Sequence, residues 1–109
     1  MTRLDVLQII GDVITEIDVA RGSLMPDDPD RHRLDDLRIL LDDKQRKLSQ
    51  AVFNDNSQAF QNAANNLKAV NDEISGTISS VDNMITTLAN ITRFLNAAAS
   101  LVSLVGSFV

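Results

Sequence analysis

The sequence predicts a single all-α domain in which a short helical hairpin packs on a long C-terminal helix. Its 109 residues include four Phe and neither Trp nor Tyr, with four Gly and two Pro. Sheets draw on aromatic residues and need frequent turns, so this composition favours helices. Apolar residues also recur every three or four positions along most of the chain. A hydrophobic fraction of 44% and a charged fraction of 23% suit one modest core.

The first helix is predicted over residues 3–21. Thr2 can act as its N-cap, and Asp5 stands three residues later, as in a capping box. Gly22 directly follows the segment and is typical of a helix C-terminus. The predicted apolar face consists of Leu4, Leu7, Ile10, Ile14 and Ile17.

The second helix is predicted over residues 29–53. Pro26 and Pro29 interrupt any helix before it, while Asp28 suits an N-cap and Pro29 suits the first helical position. The polar stretch at residues 54–57 contains poor helix formers and ends the segment. Its predicted apolar face consists of Leu34, Leu37, Leu41, Leu48 and Val52.

The third helix is predicted over residues 57–109, because a spacing of seven runs through it. The first row of this heptad seam contains Phe60, Leu67, Ile74, Val81, Leu88, Leu95, Val102 and Val109. The second row, three residues further on, contains Ala63, Val70, Thr77, Met84, Ile91, Ala98 and Val105. An ordinary helix would drift by about 20° per heptad, so a sustained period of seven favours coiled-coil packing. The predicted interaction residues are Phe60, Leu67, Val70, Ile74, Val81, Met84, Leu88, Ile91, Leu95, Val102 and Val105.

Gly76 is the residue that most disfavours a continuous third helix. A glycine inside a helix costs about 1 kcal/mol, and a loop there would produce a four-helix bundle instead. We favour one helix bent at Gly76, because Ile74 and Val81 stay in phase across it. Such a helix would be roughly 80 Å long, against roughly 28 Å and 37 Å for the first two. About half of the heptad seam would then need a second copy or a helical partner to cover it.

A second apolar stripe begins near the end of the chain, where Phe94, Leu101 and Phe108 precede members of the first row. Residues 94–109 carry no charge and would span roughly 24 Å as a helix, against about 30 Å of membrane hydrocarbon. A monomeric membrane span is therefore disfavoured. The widened face indicates burial by more than one helix or membrane insertion of an oligomer.

The remaining signals exclude several classes of function. The net charge is −5 and no basic stripe occurs, which argues against nucleic-acid binding. The absence of cysteine excludes disulfides and zinc-thiolate sites. His32 lies among acidic residues, but their spacing does not match a calcium loop and suits the start of a helix. We therefore expect no enzyme, metal, cofactor or small-molecule substrate.

Three functions fit these observations. The leading prediction is a non-enzymatic interaction or assembly module that oligomerises through the heptad seam. The alternative is a membrane-active, pore-forming-like protein that stores its apolar C-terminal segment in a helical bundle. The third is a small acidic inhibitor or immunity-type binder, using the net charge of −5 within residues 1–30. Asp5 interrupts the apolar start, so we expect no cleavable signal and either a cytoplasmic location or signal-independent export.

Overall fold

The computed structural model describes residues 1–78 and 83–106, and this part of the chain folds as four helices. They are α1 (Arg3–Gly22), α2 (Pro29–Gln50), α3 (Gln58–Ile74) and α4 (Met84–Gly106). The described residues contain no strand, which confirms the predicted all-α class. The hairpin of α1 and α2 packs on the C-terminal helix through contacts between α2 and α4.

The helices begin where their capping residues are. The Thr2 backbone N–H donates to the Asp5 carboxylate at 2.8 Å, and the Asp5 N–H donates to the Thr2 hydroxyl at 3.3 Å, completing the predicted capping box. The Asp28 carboxylate accepts a bond from the Asp30 N–H at 2.9 Å, with Pro29 at the first helical position. These capping interactions therefore set the first residues of α1 and α2 at the predicted positions.

The helices α1 and α2 run antiparallel. Near one end of the pair, Arg38 Nε donates to the Asp18 carboxylate at 2.6 Å. Near the other end, Gln45 Nε2 donates to the Leu7 carbonyl at 3.0 Å. Residues late in α1 therefore contact the first half of α2, and residues early in α1 contact the second half of α2.

The other two helices complete an up-down-up-down bundle. The amino group of Met1 donates to Gln61 Oε1 at 2.6 Å, so α3 starts beside the start of α1. Arg93 Nη2 contacts the Glu73 carboxylate at 2.5 Å, which places the early part of α4 beside the end of α3. The helix α4 packs against α2 and α3, while α1 packs against α2 and α3 on the other side.

One face of each helix contributes to a single core. The largest fully buried side chains are Ile10, Ile17, Leu34, Leu41, Leu48, Phe60, Leu67, Ile74, Ile78, Ile91, Phe94 and Leu101. Two residues of the predicted faces are instead exposed, Leu4 by 74% and Val52 by 84%. The second helix ends at Gln50 rather than at residue 53, because Ala51 is extended and Val52 leaves the helical face.

The prediction of one continuous helix over residues 57–109 is wrong. The helix α3 ends at Ile74, Gly76 has a φ of +81°, and α4 begins at Met84, which is the alternative with a break near Gly76. Glycine adopts this left-handed conformation without the clash that other residues meet. The turn allows α4 to bury its apolar face against α2 and α3 of the same chain. This burial outweighs the few hydrogen bonds of a continuous helix, so the molecule extends over 43 Å instead of roughly 80 Å.

Candidate assembly surface on the third and fourth helices

The first row of the heptad seam is covered differently in the two helices. In α3, Phe60 and Leu67 are fully buried, as is Ile74 but for 1% of its surface. In α4 the row continues with residues that pack against the core but stay partly exposed, namely Leu88, Leu95 and Val102. One side of the row in α4 therefore faces outward.

The second row shows the opposite arrangement. In α3, Ala63 and Val70 are only partly buried. In α4, Ile91 and Ala98 are fully buried and Val105 almost so. Met84 and Thr77 have intermediate burial. Val81 and Val109, the remaining members of the first row, lie outside the described residues.

The two helices thus bury opposite sides of the seam. The core face of α3 adds Ala64 to the first row, whereas that of α4 adds Thr87, Phe94 and Leu101 to the second. Phe94 and Leu101 of the second apolar stripe are completely buried in this one chain, and Phe108 lies outside the described residues. The predicted seam is consequently not the centre of either buried face, and one edge of it on each helix is incompletely covered.

A compact set of hydrogen bonds joins the turn after α3 to the first turns of α4. Thr77 donates through its N–H and its hydroxyl to the Ile74 carbonyl, at 3.0 and 2.6 Å. Asn90 Nδ2 donates to the Thr77 hydroxyl at 3.2 Å, and the Thr87 hydroxyl donates to the Thr77 carbonyl at 3.3 Å. Sequence analysis did not anticipate these contacts, although Thr77 is the one polar member of the seam.

Charge is nearly absent from α4. Arg93 is its sole charged residue, and its guanidinium pairs with Glu73 of α3. The two side chains are 52% and 60% exposed, so the pair contributes at most about 1 kcal/mol to stability. A groove lies beside this pair, between α3 and α4, and is lined by Asn66, Val70, Arg93, Asn96, Ala97 and Ser100.

Some of the acidic residues in α1 and early α2 form ion pairs. Hydrogen bonds from the Arg38 guanidinium hold the pKa of the Asp18 carboxyl below its usual range. Asp35 lies 2.5 Å from Arg21, and Asp30 lies 2.7 Å from Arg33. His32 is exposed on α2, and across residues 1–78 and 83–106 no three acidic or histidine side chains are grouped to hold a metal ion.

The helix α4 also has the length and composition needed to cross a membrane, and it alone does so among the described helices. Its most apolar stretch is 33% buried within the bundle. The same length and composition also occur in core helices of soluble proteins, so they are compatible both with this bundle and with a membrane span. Ile85, at the start of α4, is 85% exposed.

Comparisons with protein families, with curated proteins and with solved structures found no match to this chain.

Proposed function

We propose that the protein is a non-enzymatic helical assembly module that associates with itself through the heptad seam of α3 and α4. The observation that carries the proposal is the incomplete cover of this seam, with Leu88, Leu95 and Val102 partly exposed along α4. The long uncovered helix expected from the sequence is not formed, because α4 folds back on the bundle. The support for association is instead the row of partly exposed apolar residues on α4.

The chemistry of this edge suits contact with another helix. It carries no charge, since Arg93 lies on the side of α4 that faces α3. Burying uncharged side chains avoids the large desolvation cost that ionised groups impose. Leu88, Leu95 and Val102 recur at intervals of seven, so they form a continuous ridge along the helix rather than scattered contacts.

A lysine at the middle of this ridge is expected to weaken the assembly without unfolding the chain. In Leu95→Lys the aliphatic stem can cover the core while the ammonium group reaches water, so the fold should persist. Two copies would then bring like charges together, and association should fall by about tenfold or more. The measurement is molar mass by light scattering, with wild type expected at a whole-number multiple of 11.9 kDa.

The matched control is Ser103→Lys, which adds the same charge to an exposed residue of α4 that lies outside both rows and does not line the groove between α3 and α4. We expect its molar mass to equal that of wild type. A wild-type monomer throughout the micromolar range would contradict the proposal. So would a Leu95→Lys variant that assembles as well as the control.

A second function is favoured by the composition of α4. With Arg93 as its only charged residue, α4 could leave the bundle and enter a lipid bilayer. The protein would then be membrane-active, with the bundle as its storage form. The acidic-binder alternative has weaker support, because Asp18 and Asp30 of the acidic segment are already paired within the chain.

A charge on the outer face of α4 tests this second function. Ser100 is exposed, so Ser100→Asp should leave the bundle intact. In a membrane-spanning α4 the added carboxylate would cost about 2.5 to 3.5 kcal/mol, lowering insertion roughly 100-fold. Flotation with phosphatidylcholine–phosphatidylglycerol vesicles and dye release should detect this loss. Asn65→Asp on α3 is the control, and its vesicle binding should equal that of wild type. A wild-type protein that does not bind vesicles would contradict this function.

A further inference from the structure

We propose that two copies of this chain assemble by exchanging α4, with the turn at Gly76 acting as the hinge. Each α4 would leave its own bundle and pack on α2 and α3 of the second copy. This inference rests on the proposed function, because it specifies the partner as an identical chain and states how the contact forms.

The buried face of α4 identifies the partner. Phe94 and Leu101 are fully buried and Val105 is 1% exposed, so an α4 that leaves its bundle exposes a large apolar surface. The surface that matches these side chains best is the one they occupy now, on α2 and α3. A second copy offers an identical surface, so exchange restores every core contact without requiring a new interface.

The turn after α3 depends on one residue with an unusual backbone. Gly76 has a φ of +81°, which side-chain-bearing residues adopt only with strain, while no described residue other than glycine has a positive φ. A Cβ placed at Gly76 meets no atom within 4 Å, so space does not restrict substitution there. The described part of this turn therefore uses the backbone freedom of Gly76, which a helical arrangement would not need.

The spacing of seven continues across this turn, which a bundle of separate helices does not require. In a four-helix bundle the rotation of each helix is set by its own neighbours. Here the first row keeps its interval from Ile74 through Val81 to Leu88, as one continuous helix would need. The sequence thus carries the pattern of an extended α3–α4 arrangement together with a glycine that permits the folded-back one.

The incompletely covered edges agree with exchange. In α3 the partly exposed residues are Ala63 and Val70, and in α4 they are Leu88, Leu95 and Val102. All five belong to the same seam, so extension of the chain would bring them to one side. A continuous α3–α4 helix would therefore carry one incompletely covered apolar edge along its whole length, which a second extended chain could cover.

The first test replaces the hinge glycine. Gly76→Ala strains the folded-back turn and favours helix at this position, so the dimerisation constant should rise by about tenfold or more. Gly106→Ala is the control, since Gly106 lies in α4, has no positive φ and has no atom within 4 Å of an added Cβ. Molar mass is measured over a concentration series, with circular dichroism to follow helix content. Equal or weaker dimerisation of a folded Gly76→Ala variant would overturn the exchange.

The second test detects exchange directly and does not depend on the hinge substitution. The chain has no cysteine, so single thiols can be placed at Glu73 and Arg93, whose side chains touch across α3 and α4. Glu73→Cys and Arg93→Cys chains are unfolded together, refolded as a mixture, and treated with a short bis-maleimide. Exchange predicts a covalent dimer that contains one chain of each variant. The positive control is a single chain with both Glu73→Cys and Arg93→Cys, which shows that the cross-linker spans the distance between the two positions.

The matched negative control mixes Lys68→Cys with Arg93→Cys. Lys68 is exposed on α3 but lines a groove toward α1, together with Met1 and Asp12, so it should not react with position 93 of a partner. A dimer by light scattering without the mixed 73–93 product would overturn exchange while leaving self-association standing. Monomers in every variant would overturn both, and monomers that bind vesicles would favour the membrane-active function instead.

Discussion

A chain that ends at Arg93 is expected to lose its stable fold. Removing residues 94–109 takes away much of α4 and with it Phe94, Ala98, Leu101 and Val105, all buried in the core. The complementary surfaces of α2 and α3 would then face water. We expect loss of most helical signal in circular dichroism and no cooperative thermal transition.

The size of the effect follows from buried side chains. Each fully buried large side chain stabilises a fold by about 1.5 to 3 kcal/mol, so Phe94, Leu101 and Val105 alone supply about 5 to 9 kcal/mol. Leu95 and Val102 are partly buried against the core, so their loss removes further stabilisation. A domain of this size has a total stability of about 5 to 15 kcal/mol, so little or none would remain.

The control for this truncation changes only the exposed face of α4, by replacing Thr92, Asn96, Ser100 and Ser103 with alanine. This variant keeps every core side chain and should remain folded. A truncated chain that keeps its helicity and melting temperature would show that α4 does not belong to the core. Vesicle flotation of the same sample would then establish whether lipid binding was lost.

The first two helices could be predicted in detail because their signals are local. Thr2 with Asp5, and Asp28 with Pro29, satisfy backbone groups at the helix starts through contacts with residues a few positions away. Such interactions depend little on the rest of the fold. The error at Val52 has the same origin, because apolar spacing continued past the point where Ala51 leaves the helix.

The turn at Gly76 could not be predicted in this way. Locally, a helical and a turned backbone at this glycine differ by about 1 kcal/mol, and the continuous seam favoured the helix. The decision depends on whether α4 finds a surface on α2 and α3, which is a long-range property. Gly76 with Ser75 and Thr77 beside it was the available signal, since glycine is a poor helix former and the neighbouring Ser and Thr add smaller penalties.

The residues of the seam could be predicted from the sequence, but the direction in which they face within the bundle could not. Spacing of seven places Leu88 and Ile91 on the same side of α4, yet the bundle buries Ile91 completely and Leu88 only in part. The rotation of a helix about its axis is set by the side chains it meets. Phe94 and Leu101, the largest apolar residues on one flank, face inward, so the first row of the seam lies at the margin of the buried face of α4.

A carboxylate at the centre of the α4 core face should have the largest effect of any single substitution considered. Leu101 is fully buried, so Leu101→Asp removes a well-packed side chain and places an ionised group among apolar neighbours. Loss of the leucine alone costs about 2 to 5 kcal/mol, and the unpaired charge adds to this. We expect a loss of at least about 4 kcal/mol in the free energy of unfolding, measured by urea denaturation.

The matched variant is Asn96→Asp, which introduces a carboxylate on the exposed face of the same helix. Its free energy of unfolding should change by less than about 0.5 kcal/mol. Burial raises the pKa of a carboxyl group, so acid should neutralise the one introduced by Leu101→Asp before it neutralises exposed carboxylates. The deficit of Leu101→Asp relative to wild type should therefore shrink as the pH falls, whereas the Asn96→Asp difference should not. Equal stabilities of the two variants at neutral pH would show that the buried and exposed faces of α4 are wrongly assigned.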